Sequence, residues 1–248
     1  MRHNKFTLVE LLVVICLASL LMGVVLPAFN RMVTGSAVDR LASNLKLRLE
    51  RAQSHAASSR RHVALLLPQG TVADTWSNEE RVVKAALGGS RMCYVDDVKI
   101  EGNEYSSEFK RWIPDEDWVQ PERGALLVAI SAEDPVDAEG NLKTADIEYI
   151  GHNTSATGTV LQGESKNKPL KRINKIRFVE TSATETSVAD SAIIFSPKGG
   201  IRSTADVYLV IAEAMISDDN KVIYPGGELH NVRVLKVNRL TGKVEYHR

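Results

Sequence analysis

One stretch near the start of the chain constrains the rest: Phe6-Thr7-Leu8-Val9-Glu10-Leu11-Leu12-Val13-Val14-Ile15, running on through Cys16 to Leu26-Pro27-Ala28-Phe29. No residue from Leu11 to Phe29 carries a charge. At a rise of about 1.5 Å per residue, a helix from Phe6 to Phe29 measures about 35 Å, enough for the ~30 Å hydrocarbon core of a bilayer. The run therefore reads as a membrane-inserted helix. A cleaved secretory signal fits less well, since its apolar region spans only about 7–15 residues and ends in a small-residue cut site. Glu10 is out of place in this setting. A carboxylate in such a segment costs up to about 2.5–3.5 kcal/mol and calls for a cationic partner.

Lys5-Phe6-Thr7-Leu8-Val9-Glu10-Leu11-Leu12-Val13-Val14 resembles the class III signal of type IV pilins and type II secretion pseudopilins. The resemblance implies a leader of residues 1–5, its removal by a prepilin peptidase between Lys5 and Phe6, and N-methylation of the new Phe6 amine. It further implies that Glu10 of one subunit pairs with the Phe6 amine of its neighbour in a filament, a contact that would set register more than stability. Pro27 stands where these proteins commonly have a helix-bending proline. The family usually has Gly before the cut, where this chain has Lys5.

Beyond Phe29, Val38, Leu41, Leu45, Leu49, Ala52 and Ala56 recur at steps of three and four, with Arg40, Lys46, Arg48, Glu50 and Arg51 on other faces. This spacing predicts an amphipathic continuation, so one long helix is expected from about Phe6 to about Ser58, with Pro27 as a kink. Arg48, Arg51, Arg60 and Arg61 raise a nucleic-acid reading. Glu50 interrupts them and no aromatic side chain is interleaved to stack bases, so a solvated helix face fits better and nucleic acid is not expected as a partner.

Strand patterns follow: His62 to Leu67, Met92 to Val95, Ala125 to Ile130, Lys175 to Val179, Ala192 to Phe195, Val207 to Ala212, and a terminal hairpin of Asn231 to Asn238 with Lys243 to Tyr246. A helix is expected over Asn78 to Leu87, a weaker strand over Asp146 to Ile150, and a loop over Gly151 to Pro169. Glu101 to Arg123, polar and broken by Pro114 and Pro121, reads as a surface loop or insertion. Helix, paired arginines and hydrophobic strand, in that order, resemble the GspH/FimT family of minor pseudopilins and minor pilins, as do Ile194 to Gly199 and Thr241 to Val244.

Catalytic patterns are not found. The histidines at 3, 55, 62, 152, 230 and 247 lack H-E-x-x-H spacing, and there is no C-x-x-C or G-x-S-x-G. The acidic stretch from Asp134 to Asn141 fails the order of a calcium loop, and Asp137 to Asn141 reads as a turn. Cys16 and Cys93 lie in different regions, so no disulfide is expected. Lys plus Arg and Asp plus Glu both number 31, a formal net charge of zero that gives no general pull toward polyanions.

The expected fold class is α+β, a long N-terminal helix packed on a pilin-like antiparallel β head, divided into leader 1–5, membrane and filament-core helix 6–29, amphipathic helix 30–61 and head 62–248. The expected function is a minor pseudopilin or minor pilin, not an enzyme, without cofactor or metal, anchored in the inner membrane with its head outside the cytoplasm. Its expected partners are other pilin or pseudopilin subunits, a prepilin peptidase, the inner-membrane assembly platform and, before assembly, membrane lipid. The alternatives are a membrane-anchored binding or enzymatic domain that does not polymerise, and a major filament subunit.

Overall fold

The computed structural model describes residues 8–68, 87–98, 106–143, 175–178, 187–189, 192–217, 222–227 and 229–247, with the backbone alone for 23–35, 97–98, 106, 175, 177–178, 187–189 and 226. Among the described residues there is one α-helix, α1, which runs over Leu8–Ser59 and passes through Pro27. It ends where Arg60 turns left-handed at φ 54°, a conformation that closes many helices. Ser59 Oγ donates to the carbonyl of His55 at 2.6 Å in the same last turn.

Twelve strands follow α1 among the described residues. β1 (His62–Leu66), β2 (Arg91–Val98), β3 (Ser106–Trp112), β5 (Lys175–Phe178), β6 (Ser187–Ala189) and β7 (Ala192–Phe195) form a six-stranded sheet ordered β6-β5-β3-β2-β1-β7. β4 (Ala125–Ser131), β8 (Val207–Glu213), β11 (Arg233–Val237) and β12 (Val244–Tyr246) form a four-stranded sheet ordered β12-β11-β8-β4. β9 (Met215–Ile216) and β10 (Val222–Ile223) pair as a small ribbon, and Pro225–Gly227 makes one turn of 3-10 helix.

The second half of α1 packs on strands of both large sheets. Val38, Leu41, Leu45, Leu49, Ala52 and Ala56 are all at most 2% exposed and share one core with Val63, Leu65, Leu209, Leu235 and Phe195. Each buried leucine of that stripe contributes about 1.5–3 kcal/mol, so packing rather than helix propensity fixes this half of α1. The alternation of β1 sends Ala64 and Leu66 to the opposite face of the six-stranded sheet. There they join Cys93, Val95, Ile176, Ile194 and Trp118 in a second cluster.

Several expectations are corrected. The pilin-like antiparallel head does not form: β3 pairs with β5 in parallel, and both large sheets remain open, with distinct outer strands. Glu101 to Arg123 is not simply a surface loop. It contains β3, and Ile113, Glu116 and Trp118 within it are buried. The membrane-spanning assignment is also overturned. Among the described residues no helix is long and apolar enough to cross a membrane. The helix expected over Asn78 to Leu87, the strand over Asp146 to Ile150 and the loop over Gly151 to Pro169 fall outside the described residues, save Leu87, which lies in a turn.

Candidate functional site

The first turns of α1 form an arm with a surface unlike the rest of the molecule. Leu8, Val9, Leu11, Leu12, Val13, Val14, Ile15, Leu17, Leu20, Leu21 and Met22 are 49–79% exposed. Successive helical residues are about 100° apart, so this sequence presents apolar groups in every direction. A helix that is apolar all round is normally enclosed, and patches of this extent mark interaction surfaces. Cys16 on the arm is exposed, and Ser19 Oγ donates to the Ile15 carbonyl at 2.9 Å, which satisfies its hydroxyl within the helix.

Of the residues singled out from sequence, Lys5 and Phe6 lie outside the described residues, and Pro27 is placed within α1 by its backbone. Glu10 is exposed on the arm, yet it already takes part in an interaction within the chain.

A second cluster sits where the packed half of α1 meets the six-stranded sheet. Glu116 is 5% exposed. Arg48 Nη1 bonds Glu116 Oε2, and Arg51 Nη1 lies 2.8 Å from Oε1. Arg48 Nη2 donates to the Ser90 carbonyl at 3.3 Å, and Arg91 Nε donates to the Glu116 carbonyl at 3.2 Å. The Arg91 guanidinium stacks 4.0 Å over the Trp112 ring, which meets Trp118 edge-on at 5.9 Å. The hydrogen-bonding is incomplete: Arg51 approaches Oε1 as a charge without hydrogen-bond alignment, and Arg48 Nε and Ser90 Oγ are likewise buried without a hydrogen bond. Such a knot, charged on both sides and mostly dry, costs desolvation and is best suited to fixing one docking geometry.

This corrects the reading of Arg48 as a member of a solvated face, while Arg51, 54% exposed, does lie on one. Sequence reasoning also missed Glu116. A signal was available in Arg48, which stands three residues after Leu45 and directly before Leu49, on the border of the buried stripe.

Cys93 is fully enclosed, and burial pushes its thiol far above the ordinary range despite the nearby Arg91. A thiol held neutral is a poor nucleophile. Among the described residues no three His, Cys, Asp or Glu side chains converge in a way that could hold a metal ion. Asp137 Oδ1 accepts the Asn141 N–H at 2.6 Å and its carbonyl accepts the Gly140 N–H at 3.1 Å, a turn closed by Gly140 at φ 84°.

No family model, curated protein or solved structure matches the chain. The resemblance of the first thirty residues to pilins and pseudopilins, and that of the head to the GspH/FimT family, are thus not sustained across the chain. The inner-membrane placement, the secretion or pilus role and filament assembly that rested on those resemblances are withdrawn with them.

Proposed function

We propose that the protein is a non-catalytic interaction protein: a β-rich body carried on a helical arm whose apolar surface packs against the arms of other copies in a small closed bundle. The exposure of the arm on every side carries this reading. An all-round apolar helix needs more than one neighbour to cover it, and identical arms supply neighbours of matching length. Homo-oligomers mostly close by point symmetry. A formal net charge of zero means that copies do not repel one another at long range.

The non-catalytic part is supported by how the buried ionisable groups are used. Glu116 is committed to Arg48 and Arg51, and Cys93 is held neutral by burial. The same commitment of Arg48 and Arg51 removes the two helical cations that a nucleic-acid reading would need.

Sedimentation velocity of the full chain tests the reading. The wild-type protein is expected to sediment as a discrete multimer, and a Leu12→Glu, Leu20→Glu variant as a monomer with an unchanged thermal transition of the body. A monomeric wild type, a variant that remains multimeric, or a monomer that floats with phosphatidylcholine vesicles would overturn it, the last in favour of lipid as the occupant.

A further inference from the structure

We propose that His247 and Asp134 form a proton-controlled clasp that ties together the two outer strands of the four-stranded sheet. β4 and β12 lie at opposite edges of that sheet, with β8 and β11 between them. Asp134 is in the loop that leaves β4, and His247 directly follows β12. The two residues are 113 positions apart in sequence, yet His247 Nε2 lies 2.8 Å from Asp134 Oδ1 and 3.0 Å from Oδ2.

The contact is built from three elements. Register places Tyr208 of β8 opposite Lys236 of β11, and Lys236 opposite Glu245 of β12, so these three side chains share one face of the sheet. His247, two residues beyond Glu245, falls on the same face. Its ring tilts against the Tyr208 ring at 5.3 Å, and its backbone N–H donates to the Val234 carbonyl at 2.8 Å. Tyr208 donates its hydroxyl to Asp134 Oδ2 at 3.4 Å, and the Val136 N–H donates to Oδ1 at 3.0 Å. Val136 is buried in the main core and bridges to Leu142, which packs against that core. Fixing Asp134 therefore fixes the start of the loop.

Charged groups reach the pair from three elements. From the loop, Lys143 Nζ contacts the Asp134 carbonyl at 3.3 Å. From β11, Lys236 sits 5.6 Å above the Tyr208 ring but is bound to Asp206 at 3.1 Å. From β12, Glu245 is bound to Lys243. Asp134 stays ionised throughout the neutral range: burial pushes its carboxyl up, but the Val136 N–H, His247 and Tyr208 together hold it below the ordinary value. Tyr208 is pushed upward by burial and then by Asp134, so it stays protonated there and can donate. Histidines change charge between about pH 5 and 8. With the imidazolium present, one N–H is shared by two carboxylate oxygens as an ion pair; with the neutral ring, the charge term is gone. Side chains 27% and 42% exposed leave the pair open to exchange protons with solvent.

Amide hydrogen exchange on the full chain reads the clasp. Protection of the Val136 and Lys143 amides, corrected for intrinsic exchange, is expected to be roughly two- to five-fold greater at pH 5.5 than at pH 8, the range of a partly exposed ion pair. His247→Gln and Asp134→Asn are each expected to bring that ratio to one without altering protection in β8. A wild-type ratio of one, or a pH dependence that survives in His247→Gln, would overturn the proposal.

Discussion

Replacing Glu116 by alanine removes the acid on which α1 and the six-stranded sheet converge. Glu116 is 5% exposed, and the side chain of Arg48, its closest partner, is 11% exposed, so the substitution strands a guanidinium away from water. Breaking a buried pair in this way costs about 3–5 kcal/mol. Arg51, 54% exposed, regains water and adds no more than about 1 kcal/mol. For a chain of this size, about 2–4 °C of midpoint per kcal/mol turns the loss into a drop of about 6–20 °C in a thermal scan followed by circular dichroism. Most of the loss is undone if both partners go: Arg48→Met with Glu116→Leu removes the desolvation cost of the ions and is expected to recover most of the lost stability. A loss under about 1 kcal/mol for Glu116→Ala, or a double variant no more stable than the single one, would refute the assignment of Glu116 as a buried ion-pair hub.

Gly242, at φ 70°, has no room for a Cβ, which would collide with the Gly199 carbonyl; Gly242→Ala is expected to cost at least about 1–3 kcal/mol in urea unfolding. Asp206 is held below the ordinary carboxylate range by the Arg239 N–H and by Lys236, and Asp134 is also depressed. Their stabilisation is complete above about pH 4, the unfolded carboxylate value, and fades as pH falls through the lowered native values, so the urea midpoint is expected to fall below pH 4. Lys236 is raised, chiefly by Asp206, so its contribution is full below about pH 10 and fades as pH rises through the native value. Cys93 is expected to stay unmodified by a thiol reagent until denaturant opens the core, as read by mass spectrometry; modification in the native protein would contradict its burial.

Where one pattern is imposed by one neighbour, the chain was easy to read. Val38, Leu41, Leu45, Leu49, Ala52 and Ala56 repeat at helical spacing because a single wall of strands covers them. β4 and β8 show as apolar runs because side chains on both their faces are buried. β3, with the sequence Ser-Ser-Glu-Phe-Lys-Arg-Trp, was hidden because its pairing rests on partners elsewhere: Ser107 is buried and accepts from Arg202 Nη1 at 3.1 Å. Pro114 and Pro121 added loop character to a segment that is half strand. The Glu116 hub and the Asp134 to His247 contact join residues 68 and 113 positions apart, and no local pattern marks such pairs. The arm misled in the other direction. Its composition matches a membrane segment and a family signal, while the rest of the molecule, with its parallel β3 and β5 pair and open sheets, does not follow that family.

The distance between arms is the most direct measure of the central claim. Cys16 is exposed in the single chain and Cys93 is buried, so a nitroxide added to dilute native protein labels the arm alone. Helices in a bundle lie about 8–10 Å apart, so concentrating the labelled full chain is expected to produce strong dipolar broadening in electron paramagnetic resonance, and diluting it with unlabelled protein to remove the effect. A spectrum that stays narrow at every concentration would show arms that never meet, and would contradict the account.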